Sequence, residues 1–579
     1  MMDIAQTRLV LMSHRITNAR WVSFGFRLLA LILGGLHTWA AATSYSMNAD
    51  GISYLDIGDA YMRGDWETAV NPVWSPLYSW ILGPIMAVFK PTMRWEFPLA
   101  HLVNFAIYLC AFVCFEFFWR QLWVYQQEKT AESPNQFTFP NWAWWGLGYT
   151  LFIWTSLALI EIWAVTPDML MAALVYVAAG LLVRQHLGDT RWRSFLLFGV
   201  VLGLGYLAKA IMFPLAFVFL GVSLFTTGNS RQALPRVFVA LLAFLFVTMP
   251  YIVLISQTAG EPTFGQAGAI TYARYVNGVS YPHWQGEPAG NGTPIHPSRQ
   301  ILDKPPIYEF GTPIGGTYPI SLNPVYWYEG VVTQFDAAQQ VRLLLASLLF
   351  YFDLFFHQLG IFFLGILTLY LLRQNWNFSL ASVVLEGGLA LVAVAALALY
   401  ALVLVEGRYV GVFVALLGAN LLANVRIAET PVNKRLMVGI SIMMIGFMLL
   451  NLLAFNLAGY GDLTQNNSAA QTAVSPSWPG EVAEALYQLH VQPGDSVAVI
   501  GYAFDSFWAR LAQVRITAEM LDRDAEAFWV GDSTLQAEVM TAFTDAGVTA
   551  VVAEYVPDYA SLPGWHQVGN SNFYIYLTQ

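Results

Sequence analysis

Two acidic residues are candidates for chemistry, and the first of them, Asp50, could act as a general base. Asp50 follows the first long apolar segment, and Asp168 precedes another in the sequence Thr166-Pro167-Asp168. A carboxylate in a cavity could take a proton from the hydroxyl group of an acceptor molecule. Each residue also has a purely structural interpretation, because Asp is favoured at helix starts, where it caps free N–H groups and meets the positive end of the helix dipole. The sequence leaves both interpretations open.

Two cations stand at the turns of short apolar segments and could bind phosphate. Lys209 lies within residues 194–227, and Arg408 lies within residues 380–425. Each stretch has room only for two short helices, because a membrane-spanning helix needs about 20 residues. The charge at each turn would lie at the outer edge of the hydrocarbon layer, where a cavity can hold water. Arg binds phosphate oxygens bidentately and Lys acts as a point charge, so a phosphate or diphosphate group would suit both.

Nearby acidic and aromatic residues complete the set of candidates. The alternative for the two cations is a structural ion pair with Glu406, Asp168 or Glu161. Glu161 needs a cationic partner or a site, because a carboxylate near the end of a helix opposes the helix dipole. The second-rank site candidates are Tyr54, Arg63, Glu161 and Tyr409.

The composition of the chain is typical of a membrane protein. Of its 579 residues, 57% are hydrophobic and only 11% are charged, whereas soluble domains contain about 25% charged residues. Soluble cores could not bury this much apolar surface, so we predict a polytopic α-helical membrane protein and exclude disordered, collagen-like and disulfide-scaffold proteins. The formal net charge of −10 argues against a nucleic-acid partner, which requires a basic surface.

Apolar segments predict about eleven transmembrane helices. Their predicted ranges are 22–44, 97–123, 142–163, 168–186, 194–209, 211–227, 237–256, 343–373, 380–405, 409–425 and 436–458. Most Lys and Arg residues of the short connections lie on the N-terminal side, which predicts a cytoplasmic N-terminus and an external C-terminus. We expect a multi-pass protein of the plasma or inner membrane, in contact with its lipids.

Two outer loops are predicted on the side opposite the N-terminus. Residues 45–96 contain an amphipathic helix at 51–63, which ends at Gly64, and an apolar segment at 76–89. This apolar segment is too short to span, so a helix lying in the interface fits it better. Residues 257–340, rich in Gly, Pro, Tyr and Asn, form the second outer loop.

A soluble domain is predicted at the C-terminus. Residues 1–458 would form the membrane domain, residues 459–480 a polar linker, and residues 481–579 an extracytoplasmic α/β domain. Alternating strand and helix patterns indicate this fold class. The predicted strands are 496–500, 514–519, 548–554 and 572–577, and the predicted helices are 504–512 and 533–546.

The motifs of the outer loops and turns resemble those of a known family. They are Asp50-Gly51-Ile52-Ser53-Tyr54, Gly64-Asp65-Trp66, Trp74-Ser75-Pro76-Leu77-Tyr78, Thr166-Pro167-Asp168, Leu207-Ala208-Lys209 and Glu406-Gly407-Arg408-Tyr409. In order and spacing they resemble the GT-C superfamily of integral-membrane glycosyltransferases. The likeness is to the branch that contains protein O-mannosyltransferases, the lipid A aminoarabinose transferase and bacterial mannosyltransferase-like proteins.

The resemblance implies an enzyme that takes a sugar from a polyprenyl phosphate or diphosphate lipid. The acceptor would be an extracytoplasmic glycan, lipid or protein, and the transfer would invert the sugar. The resemblance places Asp50 at the catalytic position and Asp168 at that of a contributing carboxylate, and it matches Lys209 and Arg408 to the donor-phosphate ligands. Because Gly51 follows Asp50, the adjacent acidic pair of some members is absent. We therefore expect no cofactor, and a divalent metal is not indicated.

Two other classes of function are compatible with such a chain. One is a lipid or glycan transporter or flippase, although transporters often show inverted repeats and none is visible in this sequence. The other is a non-catalytic assembly or recognition protein that keeps the fold without the chemistry. Loss or retention of function on changing Asp50 would separate the enzyme from the non-catalytic protein.

Overall fold

The computed structural model describes residues 2–132, 135–226, 230–279, 299–311, 315–323, 331–373, 380–469 and 476–578. Over these residues the chain forms a bundle of helices with a mixed β-sheet packed against it. The helices are α1 (Met2–Thr43), α2 (Ala49–Arg63), α3 (Trp66–Ala69), α4 (Pro76–Phe89), α5 (Met93–Ala131), α6 (Asn141–Trp154), α7 (Asp168–His186), α8 (Trp192–Ala208), α9 (Met212–Thr226), α10 (Ser230–Ala259), α11 (Ala267–Tyr275), α12 (Pro319–Leu322), α13 (Ala337–Phe352), α14 (Gly360–Leu371), α15 (Leu380–Ala401), α16 (Gly407–Ala423), α17 (Pro431–Ala469), α18 (Gly480–Gln488), α19 (Phe507–Ala512), α20 (Asp522–Trp529) and α21 (Ser533–Asp545).

Each predicted membrane span coincides with a helix or a pair of helices. Within the described residues, 6 helical segments are long and apolar enough to cross a membrane, and shorter apolar helices accompany them. Many large apolar side chains on these helices face outward, such as Phe246, which is 83% exposed, and Leu349, which is 70% exposed. Exposed apolar surface on this scale is stable against lipid but not against water. The chain is therefore a multi-pass membrane protein.

The segment predicted as one span at 343–373 is interrupted. Helix α13 passes into a π-helical turn, Asp353–Gln358, and α14 begins after Leu359. The carboxylate of Asp353 accepts hydrogen bonds from His357 Nδ1 at 2.9 Å and from Gln358 Nε2 at 2.8 Å. These exposed polar groups explain the break, because they lie more favourably at a membrane surface than inside the hydrocarbon.

The two predicted helices of the first outer loop are confirmed as α2 and α4. Helix α2 ends at Gly64, whose left-handed backbone (φ 73°) closes the helix without steric cost. The two helices meet at Gly58 and Gly83. A Cβ atom on Gly83 would lie 2.6 Å from the carbonyl oxygen of Gly58. Any larger residue there would push α4 away from the helix that carries Asp50.

The soluble part is built on a sheet of 7 strands in the order β2-β3-β6-β5-β7-β9-β8. The central strands β5, β6 and β7 are parallel, and β3 and β9 join them antiparallel. The strands of this sheet are β2 (Arg299–Asp303), β3 (Pro306–Glu309), β5 (Ser496–Gly501), β6 (Arg515–Leu521), β7 (Ala550–Ala553), β8 (Trp565–Gln567) and β9 (Tyr574–Leu577), and a separate pair is formed by β1 (Gln136–Phe137) and β4 (Ile427–Ala428).

The soluble fold is not confined to residues 481–579. Strands β2 and β3 come from the second outer loop, and Tyr308 and Glu309 pair with β6. Helix α17 continues to Ala469, so the predicted polar linker at 459–480 begins as helix. Strands β3 and β6 are about two hundred residues apart in sequence. Strand patterns are local and cannot predict such a long-range pairing. Helix α20 and strand β8 were likewise not predicted.

A buried carboxylate lies where the parallel strands β5 and β7 end. Glu554 accepts hydrogen bonds from Ser506 Oγ at 2.6 Å, Trp508 Nε1 at 3.0 Å and the backbone N–H of Tyr502 at 3.2 Å. A Cβ atom on Gly501 would lie 2.7 Å from the carboxylate, so only glycine leaves it room. Burial raises the pKa of Glu554 from 4.5 to about 7, although the three donors oppose this shift.

We expect Glu554→Gln to change how stability depends on pH. With its pKa raised in the folded state, Glu554 contributes stability below pH 4.5 and loses that contribution as the pH rises through about 7. Its full size is up to about 3 kcal/mol. Thermal unfolding of the intact protein from pH 5 to 8 measures it. The wild type should lose stability across this range more steeply than the Gln variant, and parallel curves would contradict the prediction.

Candidate active site

The start of α2 places Asp50 against the loop that precedes α7. The Oδ1 atom of Asn48 accepts a hydrogen bond from the N–H of Val165 at 2.9 Å. A Cβ atom on Gly51 would lie 2.7 Å from Met47 Sδ and 2.8 Å from Val165 Cβ. The close approach of helix and loop thus requires glycine at position 51, and a second carboxylate beside Asp50 would not fit.

Asp50 is not the capping residue of α2. The residue at the N-cap position is Asn48, and Asp50 lies within the first helical turn. Its Oδ2 atom accepts a hydrogen bond from Arg408 Nη1 at 2.8 Å. The helix dipole still favours a carboxylate here. However, the side chain contacts a cation that lies 358 positions later in the sequence, and not its own helix.

Arg408 lies at the start of α16 and contacts two carboxylates. Its Nε atom donates to Glu406 Oε2 at 2.8 Å, in addition to the bond from Nη1 to Asp50. Gly411 brings α16 onto the π-helical turn Thr155–Leu159, since a Cβ atom there would lie 2.8 Å from Ile160 Cγ1. This packing places the guanidinium of Arg408 near Glu161 and near Asp168, the first residue of α7.

Lys209 lies between α8 and α9, and its ammonium group forms an ion pair with Asp168 Oδ1. The side chain of Asp168 is 1% exposed, whereas that of Lys209 is 21% exposed. The other oxygen of Asp168, Oδ2, has no hydrogen-bond partner among the described residues. Helix α7 begins at Asp168, as in the predicted span 168–186, with Pro167 at the capping position.

Tyr409 joins the two ion pairs into one cluster. Lys209 Nζ lies 3.7 Å from the centroid of its ring, a distance typical of a cation–π contact. Arg408 Nη2 donates to its hydroxyl oxygen at 3.3 Å, and the ring of Tyr400 stacks on it at 5.4 Å. The structure therefore brings the four predicted site residues, Asp50, Asp168, Lys209 and Arg408, around a single aromatic ring.

Of the remaining candidates, Tyr54 and Glu161 border the cluster and Arg63 does not. Tyr54 lies one turn after Asp50, and burial and then the negative charges of Asp50 and Asp168 raise the pKa of its phenol. Glu161 occupies a left-handed backbone position (φ 59°) and is within electrostatic range of Arg408. Arg63 lies about 20 Å further along α2, where it lines a cleft beneath the soluble domain.

Three residues of the site were not among the predicted candidates. The sequence indicates Glu406 only as a possible ion-pair partner of Arg408, and it does not mark Asn48 or Tyr400 as site residues. Adjacency to Arg408 and to Asp50 is the only sequence signal for the first two, and the contact of Tyr400 with Tyr409 depends on helix packing. Over the described part of the chain, no group of three or more His, Cys, Asp or Glu residues is placed to hold a metal ion.

The cluster combines groups that could bind a phosphate with groups that could move a proton. Both cations are ion-paired, yet the side chains of Arg408 and Asp50 are 22% and 31% exposed, so water and ligands can reach them. The site is therefore partly open to solvent, and it is formed by α2, the start of α7, and the turns that contain Lys209 and Arg408. The alternative prediction, that both cations form ion pairs with carboxylates, is also confirmed, because Lys209 pairs with Asp168 and Arg408 with Glu406.

The fold of this chain is similar to the GT-C fold of a membrane protein with a solved structure. The crystal structure of ArnT from Cupriavidus metallidurans bound to undecaprenyl phosphate is similar to this chain, with a TM-score of 0.51 and 12% identity over 96% of this chain and 98% of ArnT. The same ArnT in the apo state gives a TM-score of 0.50 at 11% identity. At these identities the likeness establishes the fold alone.

A weaker likeness extends to an oligosaccharyltransferase from Archaeoglobus fulgidus, tethered with an acceptor peptide. Its TM-score is 0.47 at 13% identity, over 91% of this chain and 69% of the archaeal protein. No protein-family model and no curated protein sequence matches this chain.

Proposed function

We propose that this protein is a membrane glycosyltransferase that moves a sugar from a polyprenyl-phosphate lipid to an extracytoplasmic acceptor. One observation carries the proposal. Two candidate phosphate-binding cations and two candidate catalytic carboxylates, from four separate parts of the chain, meet around Tyr409. The fold supports the same class, because ArnT, with which this chain shares it, is a transferase crystallised with undecaprenyl phosphate.

In the proposed reaction the acceptor hydroxyl attacks the anomeric carbon of the donor sugar. A bond forms between that carbon and the acceptor oxygen as the bond to the phosphate oxygen breaks, with inversion. Asp50 takes the hydroxyl proton as general base. The leaving phosphate keeps the electron pair, and Lys209 and Arg408 stabilise its developing charge.

The ion pairs of the ligand-free site suggest how donor binding prepares the base. The guanidinium of Arg408 already donates to Asp50 and Glu406. A donor phosphate would compete for these N–H groups and draw the guanidinium away from Asp50. The carboxylate of Asp50 would then be free to accept a hydrogen bond from the acceptor hydroxyl. Lys209 would exchange its contact with Asp168 for the phosphate in the same way. The donor therefore binds before proton transfer to Asp50.

We also propose that the N-terminus is cytoplasmic and that the site opens outside the plasma or inner membrane. Basic residues of the short connections support this orientation. Helix α2 contacts α4, the part of the second outer loop that contains Ser321, and α19 of the soluble domain, which is consistent with a single outer face. The acceptor, a glycan, lipid or protein of the cell envelope, would reach the site from that face.

A transfer assay with the full-length protein in lipid nanodiscs tests the function. Undecaprenyl phosphates carrying different radiolabelled sugars would be incubated with a cell-envelope extract as the source of acceptor. We expect protein-dependent transfer of one labelled sugar and release of undecaprenyl phosphate. Movement of intact donor across liposome membranes without cleavage would instead identify a flippase. Donor binding with neither outcome would point to a non-catalytic protein.

A further inference from the structure

One arginine of the soluble domain is buried among carboxylates of the membrane domain. Arg510 lies in α19, and its side chain is 5% exposed. Its Nη1 atom contacts Asp56 Oδ1 at 2.9 Å and Asp59 Oδ2 at 2.6 Å, and its Nε atom contacts Glu96 Oε1 at 2.6 Å. An arginine can satisfy several carboxylates at once because its guanidinium donates in two directions within one rigid plane.

Two of these carboxylates belong to the helix that carries the proposed base. Asp56 and Asp59 lie on α2, and Asp50 lies about 9 Å from Asp56 along the same helix axis. Glu96 lies in the first turn of α5, a membrane helix. Arg510 therefore connects the soluble domain to both the base-bearing helix and the helix bundle beneath it.

A segment of the second outer loop strengthens this connection. The second carboxylate oxygen of Asp56 accepts hydrogen bonds from the N–H and the hydroxyl of Thr317, both at 2.8 Å. The carbonyl of Thr317 in turn accepts from the N–H of Ile516 at 2.8 Å, where β6 begins. Closer to Asp50, Ser321 Oγ lies 2.8 Å from Ser53 Oγ. The outer face of α2 is thus attached to the soluble sheet at several successive turns.

We infer that Arg510 is a positioning residue, through which the soluble domain holds α2 so that Asp50 faces the donor site. The inference rests on the proposed function of Asp50. Arg510 itself lies outside the proposed donor site. It acts on α2 through Asp56 and Asp59, which follow Asp50 along that helix. Loss of the arginine leaves three carboxylates close together in a buried place, and their repulsion would move the helix.

The experiment compares Arg510→Met and Arg510→Lys with Arg94→Met in the full-length protein. Arg94 is a matched control, because it joins the same two domains through an exposed ion pair with Glu484 at 3.4 Å. Hydrogen exchange of the amides in α2 should be at least about tenfold faster in Arg510→Met, with α7 unchanged. The Lys variant should show an intermediate rate, and Arg94→Met should match the wild type.

Kinetics separate positioning from general destabilisation. In Arg510→Met, kcat should fall about tenfold or more, while the Kd for undecaprenyl phosphate should change less than about twofold. The Lys variant should recover part of kcat. Wild-type exchange in α2 together with wild-type kcat in Arg510→Met would overturn the inference.

A milder variant covers the case in which Arg510→Met does not fold. Asp59→Asn removes one contact at a side chain that is 23% exposed, and it should still accelerate exchange in α2 relative to α7. Unchanged exchange would then count against the inference. Hydrogen exchange needs no transfer activity, so a positioning role can be confirmed or rejected even if the proposed glycosyltransferase activity is not found.

Discussion

Replacing Asp50 with Asn should abolish sugar transfer and, at the same time, tighten binding of the donor phosphate. Loss of a general base typically costs a factor of about 10² to 10⁴ in rate. Binding should improve because Arg408, held by Asp50 at 2.8 Å in the ligand-free site, would then share its charge with one carboxylate, that of Glu406, instead of two. A partly exposed ion pair of this kind contributes about 1 kcal/mol, which corresponds to a gain in affinity of about fivefold.

The measurement pairs a transfer assay with titration of undecaprenyl phosphate into nanodisc-embedded protein. Glu67→Gln is the control, because Glu67 is an exposed carboxylate of the same outer loop, and it should leave both quantities unchanged. Transfer at the wild-type rate would remove Asp50 from catalysis. Weaker donor binding in Asp50→Asn would show that Arg408 is not released for the phosphate.

The second large effect concerns Lys209, which has both a structural and a phosphate-binding interpretation. Lys209→Met should weaken undecaprenyl phosphate binding about tenfold to a hundredfold, as expected for a charged hydrogen bond. It should also destabilise the protein, by about 3 kcal/mol or more, because Asp168 is buried and would lose the cation that compensates it.

The double variant Lys209→Met with Asp168→Asn separates the two roles. Removing both charges avoids an unpaired buried carboxylate, so thermal stability should return toward that of the wild type. Donor binding should remain weak, because no cation replaces Lys209. Recovery of binding together with stability would mean that the ion pair is structural and that the phosphate is bound elsewhere.

The positions of the membrane helices followed from the sequence because lipid imposes a strict rule. Every spanning segment must be apolar and must satisfy its own backbone, so hydrophobic length alone marks it. The turn residues Lys209 and Arg408 stood out for the same reason, since charges are rare between apolar segments. The break at Asp353–Gln358 shows the limit, because a polar pair at a membrane surface and one inside a span look alike in sequence.

Contacts between distant residues could not be derived in this way. Asp50 and Arg408 are separated by 358 positions, and Arg510 and Asp56 by 454. Motif order pointed to the first pair as members of one site, but nothing in the sequence linked Arg510 to α2 or strand β3 to β6. Arg63 shows the converse case, because it lies near the family motifs in sequence but at the other end of α2 from Asp50 in the structure.

Local properties of this chain, namely its apolar segments, its helix ends and the identity of its charged turn residues, are encoded in short stretches of sequence, because hydration and backbone geometry act over a few residues. The pairing of charged side chains with one another is not encoded in short stretches of sequence. Which carboxylate meets which cation depends on glycine contacts such as those at Gly51 and Gly411 and on burial, and these arise only when the helices pack against one another.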